Sequence, residues 1–390
     1  MKIAAVIPTR NRASLATAAV RSLLEQDCPI EIFLSDNSPA PDDALRALSR
    51  EEPRVHYLRP DSELSMGTHW DWAMRQAIAR CDATHFTLHY DRKYSKPAAW
   101  GAMAAVAASQ PELLITYPVD SISVDPPPLR LWQMPWSGRV LRVGTARVAA
   151  LVAAGNVLAP GQALPVLTNC IVPRAVLTDI IERFGALCDA AGPDSCFAAR
   201  FLALRHEFLH YDRPLAVMYA SHRSAGAGLF RHRGGDFPDW QKTWGDRPWL
   251  FAAPIPGLTL GQNIFFHEYE LVRRETGDRL PPIDRGGYLD ELGRALVWVE
   301  DPQTRAELHR VLVEHGWKGT PAATPKQSIA ARLRDRAMRL LIDRAGVVPA
   351  HISGYAFPDD ATALRYALQY PRRRTNDTRH LAALQPTELA

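Results

Sequence analysis

The sequence predicts an α/β fold, a mainly parallel sheet flanked by helices, and three observations carry that expectation. Short apolar runs alternate with helical patterns from Lys2 to Asp120. Pro8-Thr9-Arg10, Asp36-Asn37-Ser38 and Asp91-Arg92 all follow the ends of apolar runs, where open α/β sheets place their ligand crevice. The 390 residues, 47% hydrophobic and 23% charged, describe a globular chain too long for one compact core.

The elements follow in order. "KIAAVIP" is a short apolar run that stops at Pro8, a buried strand. "SLATAAVRSLLEQ" places Leu15, Ala19, Leu23 and Leu24 near helical spacing, with Ser14 as N-cap. "IEIFLSDNSPAPDD" is a second strand ending in a turn cluster, "ALRALSREE" a helix and "RVHYLRP" a third strand. "GTHWDWAMRQAIARC" is a helix and "THFTLHYD" a fourth strand running into a polar turn. "KPAAWGAMAAVAAS" is a helix and "ELLITYPVD" a fifth strand. The pattern then loosens, and "VDPPPLRLWQMPWSG" reads as a surface loop. "ARVAALVAAG" is helical, and "LPVLTNCIVPRAVLTDIIERFG" is a strand and a helix stopped by Gly185. Pro193 and Asp194 open the helix "PDSCFAARFLAL", as helix N-termini favour, and "PLAVMYASHRSAGAG" is a strand entering a turn. The expected organisation is a main domain over 1–260, a helical extension over 261–318, a linker over 319–327 and a C-terminal helix with a basic tail over 328–390.

Composition excludes several classes. A formal net charge of +4 makes no case for a nucleic-acid partner. Five cysteines without CxxC or zinc spacing point to free thiols in a reducing compartment, so the expected location is cytoplasmic. The apolar run at the N-terminus is too short for a signal peptide, and no segment reaches the roughly 20 apolar residues that span a bilayer. In "SIAARLRDRAMRLLIDRAG", Arg332, Arg336 and Arg339 flank an apolar stripe. Such a helix either lies on an anionic membrane surface or packs on the protein's own core, and both remain open.

By "VIPTRNRASLATAAVRSLLEQ" followed by "FLSDNS", and then "GTHWDWAMRQAIARCDATHFTLHYDRKYSKP", the sequence resembles glycosyltransferase family 2 with its GT-A fold, over roughly residues 2 to 225. The resemblance implies a nucleotide-sugar donor and a glycan, lipid-linked or small-molecule acceptor. It implies that Pro8, Thr9, Arg10, Asn11 and Arg12 wrap the base and ribose, and that Asp36, with Asn37 beside it, binds the base or ribose. Gly67 would allow close approach, with Asp71 where an Asn is common. Asp91 would be the last acid of a D-x-D site, Asp194 the catalytic base, and His222 a group near the diphosphate.

The chemistry asks for the same parts. Transfer needs the leaving diphosphate's charge stabilised and the acceptor hydroxyl deprotonated. Mg²⁺ or Mn²⁺ held by carboxylates can do the first, and so can Arg and Lys. Here the sequence departs from the pattern. His89 stands where the first acid of D-x-D belongs, and Arg92 and Lys93 follow Asp91. His is a poor Mg²⁺ ligand but an acceptable one for Mn²⁺. A metal held by Asp91 with His89, and a metal-free site using Arg92, are the two expectations. Plainer roles stand beside these: turn chemistry for Asp91 and Asp36-Asn37-Ser38, helix-dipole complementarity for Asp194, core packing for Trp70 and Trp72. The functional expectation is an inverting glycosyltransferase. The alternative is a catalytically inactive relative that binds nucleotide or glycan. A nucleotidyltransferase is disfavoured, since no Gly- and Lys-rich loop follows the first strand.

Overall fold

The computed structural model describes residues 1–123, 129–188, 191–220, 250–320, 355–357, 360–369, 374–375 and 379–389. His222, the tryptophans between 240 and 249, most of the linker and the basic helix from Ser328 lie outside them.

The first part is built from β1 (Ile3–Thr9), α1 (Ala13–Leu24), β2 (Ile30–Asp36), α2 (Asp43–Glu51), β3 (Val55–Leu58), α3 (Met66–Arg80) and β4 (His85–Leu88). Its strands lie in the order β4-β1-β2-β3, all parallel, and the register sets Thr9 beside Asp36. Alternation along β1 sends Ile3, Ala5 and Ile7 into one layer with α1, α2 and the next helix, α4 (Ala99–Ser109). Ala4 and Val6 face the opposite layer, with Trp70, Ala73, Met74 and Ala77 of α3. Both faces being covered, β1 reads as a continuous apolar run. Asp42 and Ser65 cap α2 and α3. Ser14 does not cap α1, since that helix already starts at Ala13 with Arg12 in the cap position.

The middle of the chain adds β5 (Lys93–Ser95), β6 (Ile115–Thr116), β7 (Val119–Ser123), β8 (Arg130–Trp132), β9 (Val140–Gly144), α5 (Thr145–Ala153), β10 (Cys170–Pro173), α6 (Arg174–Phe184), α7 (Pro193–Leu204), β11 (Glu207–Tyr211) and β12 (Ala216–Ala220). After these come α8 (Gly261–Glu275), α9 (Arg285–Ala295), α10 (Pro302–Glu314), β13 (Tyr355–Ala356), α11 (Asp360–Gln369) and β14 (Thr387–Glu388). Among the described residues the strands form two sheets, β14-β9-β11-β6-β10-β4-β1-β2-β3 and β13-β8-β7-β12-β5. The large sheet is mainly parallel, as expected, with two strands reversed: β10 runs antiparallel to both β4 and β6, and β9 to both β11 and β14.

Two expectations about single segments are corrected. The run "ELLITYPVD" is not one strand. Pro118 has no N–H to give a ladder, and the chain passes there from β6 in the large sheet to β7 in the small one. The expected loop after Asp120 instead contains β8, paired antiparallel with β7. The polar turn after β4 also leads into a strand, β5, paired with β12. Among the described residues the two sheets are thus joined at residues 89–92, 117–118, 133–139 and 212–215.

The helices beyond residue 260 share one core with the main domain. Phe266, Tyr269, Tyr288, Leu292 and Leu312 sit in the same cluster as α3, α5, α6 and α7. Gly155 (φ +76°) and Gly287 let the end of α5 and the start of α9 touch backbone to backbone, and the Asp284 amide donates to the Ala153 carbonyl at 2.7 Å. The end of the chain is tied down as well. β14 pairs with β9, and His380 Nε2 meets Asp212 Oδ1 at 3.0 Å. Among the described residues no helix is long and apolar enough to cross a membrane.

Candidate active site

The ends of β1, β2 and β4 converge. Asn11 takes a left-handed backbone (φ +55°), and its amide donates to Ser38 Oγ at 2.9 Å, so the turns after β1 and β2 are locked together. The fully buried Asp36 organises this crossing: Oδ1 accepts from the Ser38 amide, and Oδ2 from Tyr57 (2.8 Å) and the Asp42 amide (3.1 Å). Burial pushes its carboxyl up, but the hydrogen bonds from Ser38, Tyr57 and Asp42 win and hold it below the usual range. Asn37 brackets the Leu64 backbone from both sides, and Arg10 pairs with Glu63. The loop before α3 is therefore fixed by residues expected to contact nucleotide.

Asp91 lies at the centre of this group and is almost fully buried. Thr9 Oγ1 donates to its Oδ2 at 2.9 Å, and Arg12 Nη1 lies 3.5 Å from its Oδ1. Burial raises its carboxyl above the usual range, against Arg12, Thr9 and Arg92, which pull it down. Arg92 donates from Nη1 to the Tyr219 carbonyl at 2.9 Å and lies over the Tyr90 ring. His89 is turned elsewhere. Its Nε2 bonds the Lys93 carbonyl at 2.8 Å, which makes that nitrogen the donor, and Nδ1 is buried without a hydrogen-bond partner. Burial beside Lys93 keeps this ring neutral.

The pair the sequence offered for a metal thus consists of one carboxylate, bonded to Thr9 and beside Arg12, and one buried ring nitrogen, His89 Nδ1. Among the described residues no group of three His, Cys, Asp or Glu side chains could hold an ion.

Asp194, partly open to solvent in the first turn of α7, reaches back to the same strand end. Its Oδ2 accepts from Tyr90 at 2.7 Å and its Oδ1 from Thr168 Oγ1 at 3.0 Å. Burial raises its carboxyl, and the Tyr90 and Thr168 hydroxyls with the charge of Lys93 offset only part of that. The Tyr90 phenol is itself pushed well up by burial and by Asp194, so it stays a donor. Tyr90 stands next to Asp91 in the chain and edge-on to Trp70, and so links the two acids the sequence singled out.

The remaining predicted residues sit further back. Gly67 is buried in α3, and its carbonyl lies 3.5 Å from Cys188 Sγ. Asp71 accepts from Arg75 Nε and from the Leu187 amide, pinning the segment after α6. Pro8 belongs to β1. The sequence did not single out Tyr90, Thr168 or Lys93 as working together. Only the position of Tyr90 and Lys93 beside Asp91 could have drawn attention to them.

Lys93 is 1% exposed, and its Nζ donates to Tyr117 Oη at 2.9 Å and to the Thr168 carbonyl at 2.5 Å. Burial lowers it to about 7, with Cys170 and Asp194 opposing. Between that value and the 10.5 of an exposed lysine, the unfolded chain holds a proton that the folded one has lost, so stability contributed by this site rises with pH. Unfolding of wild type and Lys93→Met between pH 6 and 11 is expected to show it. The difference between the two should stay constant below pH 7 and then move in favour of wild type, by at most about 1.4 kcal/mol per pH unit. A difference independent of pH would show that Lys93 does not titrate in this window.

Residues 4–87 match the family model of glycosyl transferase family 2. This segment carries β1 to β3, nearly all of β4 and the crossing of Thr9, Asn11, Asp36 and Ser38; it lies inside the stretch of the sequence resemblance and ends before Asp91, Arg92 and Asp194. The architecture is a GT-A-like α/β fold, a large mixed sheet flanked by helices with more helices towards the C-terminus. Among solved structures, S. aureus TarS 1-349 is similar at 15% identity and TM-score 0.44, over 81% of this chain and 89% of that one. Its complex with UDP-GlcNAc gives 15% and 0.45, and its complex with UDP 14% and 0.43, over the same shares. No curated protein matches the sequence.

Proposed function

We propose that this protein is an inverting glycosyltransferase. It moves a hexosyl group from a nucleoside-diphosphate donor to a hydroxyl of a glycan, a lipid-linked carrier or a small molecule. The observation that supports this most is the bridge from the strand end to the acid of α7, Tyr90 Oη to Asp194 Oδ2 at 2.7 Å. It ties a carboxylate with raised proton affinity to Tyr90, whose neighbour Asp91 is flanked by a pair of arginines. Asp194 takes the acceptor hydroxyl's proton while the oxygen attacks the anomeric carbon. The bond to the diphosphate oxygen breaks, and the charge leaves with the diphosphate. Arg12 and Arg92, both beside Asp91, meet that charge in place of a divalent ion. Asp91 then serves to hold Arg12.

The test is calorimetric binding of UDP, GDP and dTDP, each with Mn²⁺ and with EDTA. One nucleotide is expected to bind about equally in both, and Arg12→Ala to weaken it about tenfold or more. Binding lost in EDTA would overturn the metal-free reading, and no binding at all the donor reading. The incomplete acid set favours a second reading, a nucleotide-binding relative without turnover. Tight binding with no release of diphosphate from any matching nucleotide sugar would establish it.

A further inference from the structure

Helix α7 begins without a side-chain cap of its own. Its N-cap is Gly192, its next residue Pro193 has no N–H, and Asp194 spends both oxygens on Tyr90 and Thr168. The cap comes from elsewhere: Oε1 of Glu268, a fully buried residue of α8, accepts the Gly192 amide at 2.9 Å. The same spot is where α8 comes closest, because a Cβ on Gly192 would overlap Ile264 Cγ2. Two side chains one turn apart on α8 therefore hold the backbone two residues before Asp194.

We propose that Glu268 is the positioning residue of Asp194, and that α8 thereby belongs to the transfer machinery. The inference rests on Asp194 acting as the base. Glu268 supplies the cap that Asp194 would otherwise supply, and so leaves the Asp194 carboxylate turned towards Tyr90, Thr168 and the acceptor. Ile264 fixes where along α8 that happens. A displacement on the order of 1 Å at Gly192 passes through the rigid Pro193 to the base, and misplacement of that size is costly to the reaction rate rather than to donor binding.

The experiment follows diphosphate release from the matching nucleotide sugar in the full chain, with water as acceptor. Glu268→Ala is expected to lower kcat at least tenfold and leave the donor's KM and UDP affinity within about twofold. Glu268→Gln keeps the Oε1 acceptor and should recover most of kcat. Gly192→Ala should lower kcat in the same way, and adding Ile264→Ala should restore it by making room for the methyl group. Unchanged kcat in Glu268→Ala, equal damage in the Ala and Gln variants, or parallel loss of kcat and donor affinity would overturn the inference. If Glu268→Ala does not fold, the Gly192 and Ile264 pair decides: no rescue in the double variant overturns it. Asp194→Asn keeps these outcomes apart from failure of the base reading. Turnover surviving in Asp194→Asn sinks the base. A dead Asp194→Asn beside a fully active Glu268→Ala sinks only the role of Glu268.

Discussion

Replacing Asp194 with Asn should lower kcat by roughly 10²- to 10⁴-fold, the range for loss of a positioned general base, and leave nucleotide binding close to wild type. Asn keeps an oxygen for the Tyr90 or Thr168 hydroxyl, so the loss would come from missing basicity and not from a collapsed site. A second signature is pH. Burial holds the Asp194 carboxyl above its ordinary value, so activity in the wild type should fall on the acid side at a higher pH than a solvent-exposed aspartate would give. That limb should vanish in the residual activity of the variant. Steady-state kinetics across pH 4 to 8 on both proteins would show it. An unchanged acid limb in Asp194→Asn would assign the titration to another group.

Gly155→Ala is expected to cost at least about 3 kcal/mol, the largest loss of stability among the single-methyl changes considered. Two causes add. The left-handed backbone at φ +76° penalises any Cβ by roughly 1–2 kcal/mol, and this Cβ would overlap the Gly287 carbonyl, which is backbone and cannot turn aside. Gly185 is the internal control. It has the same φ of +76° with open space around it, so Gly185→Ala should lose only the conformational part. Urea unfolding of the two variants separates the terms. Equal losses would mean that α5 and α9 do not press together as described.

Much of the first domain could be read from the sequence because its signals are local. β1 is an apolar run up to Pro8, β2 is apolar but for Glu31 up to Leu34, Gly185 stops α6, and the polar turns follow strand ends as ligand crevices require. The reversal of β9 and β10 could not be read, because these strands are five and four residues long and their direction is set by partners far away in sequence. Pro118 was visible as a breaker, but not that the strand resumes in another sheet. At the site, strand-end position drew attention to Asp91 and Asp36, and the family resemblance named Asp194, whose place at a helix start has a plainer cause in the dipole. Their hydrogen bonds could not be foreseen. A tyrosine's hydroxyl stands well away from its backbone, so Tyr90 can reach α7 from the turn after β4. The helices from Gly261 onward carried a helical pattern with no chemistry in it. Only contact with Gly192 gives them a place near the site.

The joints between the sheets make the site mechanically a bracket. Among the described residues four connections, of four, two, seven and four residues, leave from four consecutive strands of the small sheet, β8-β7-β12-β5, so that sheet is strapped to the large one along a line rather than at a point. A single joint would act as a swivel, but four in a row leave at most a stiff fold about their common line. Asp91 and Arg92 are part of one strap, and Tyr117 and Pro118 form another. The spacing between Arg92 and Tyr90, which holds the acid of α7, is consequently built into the bend itself. Lengthening any one strap by a residue would leave the other three to hold it.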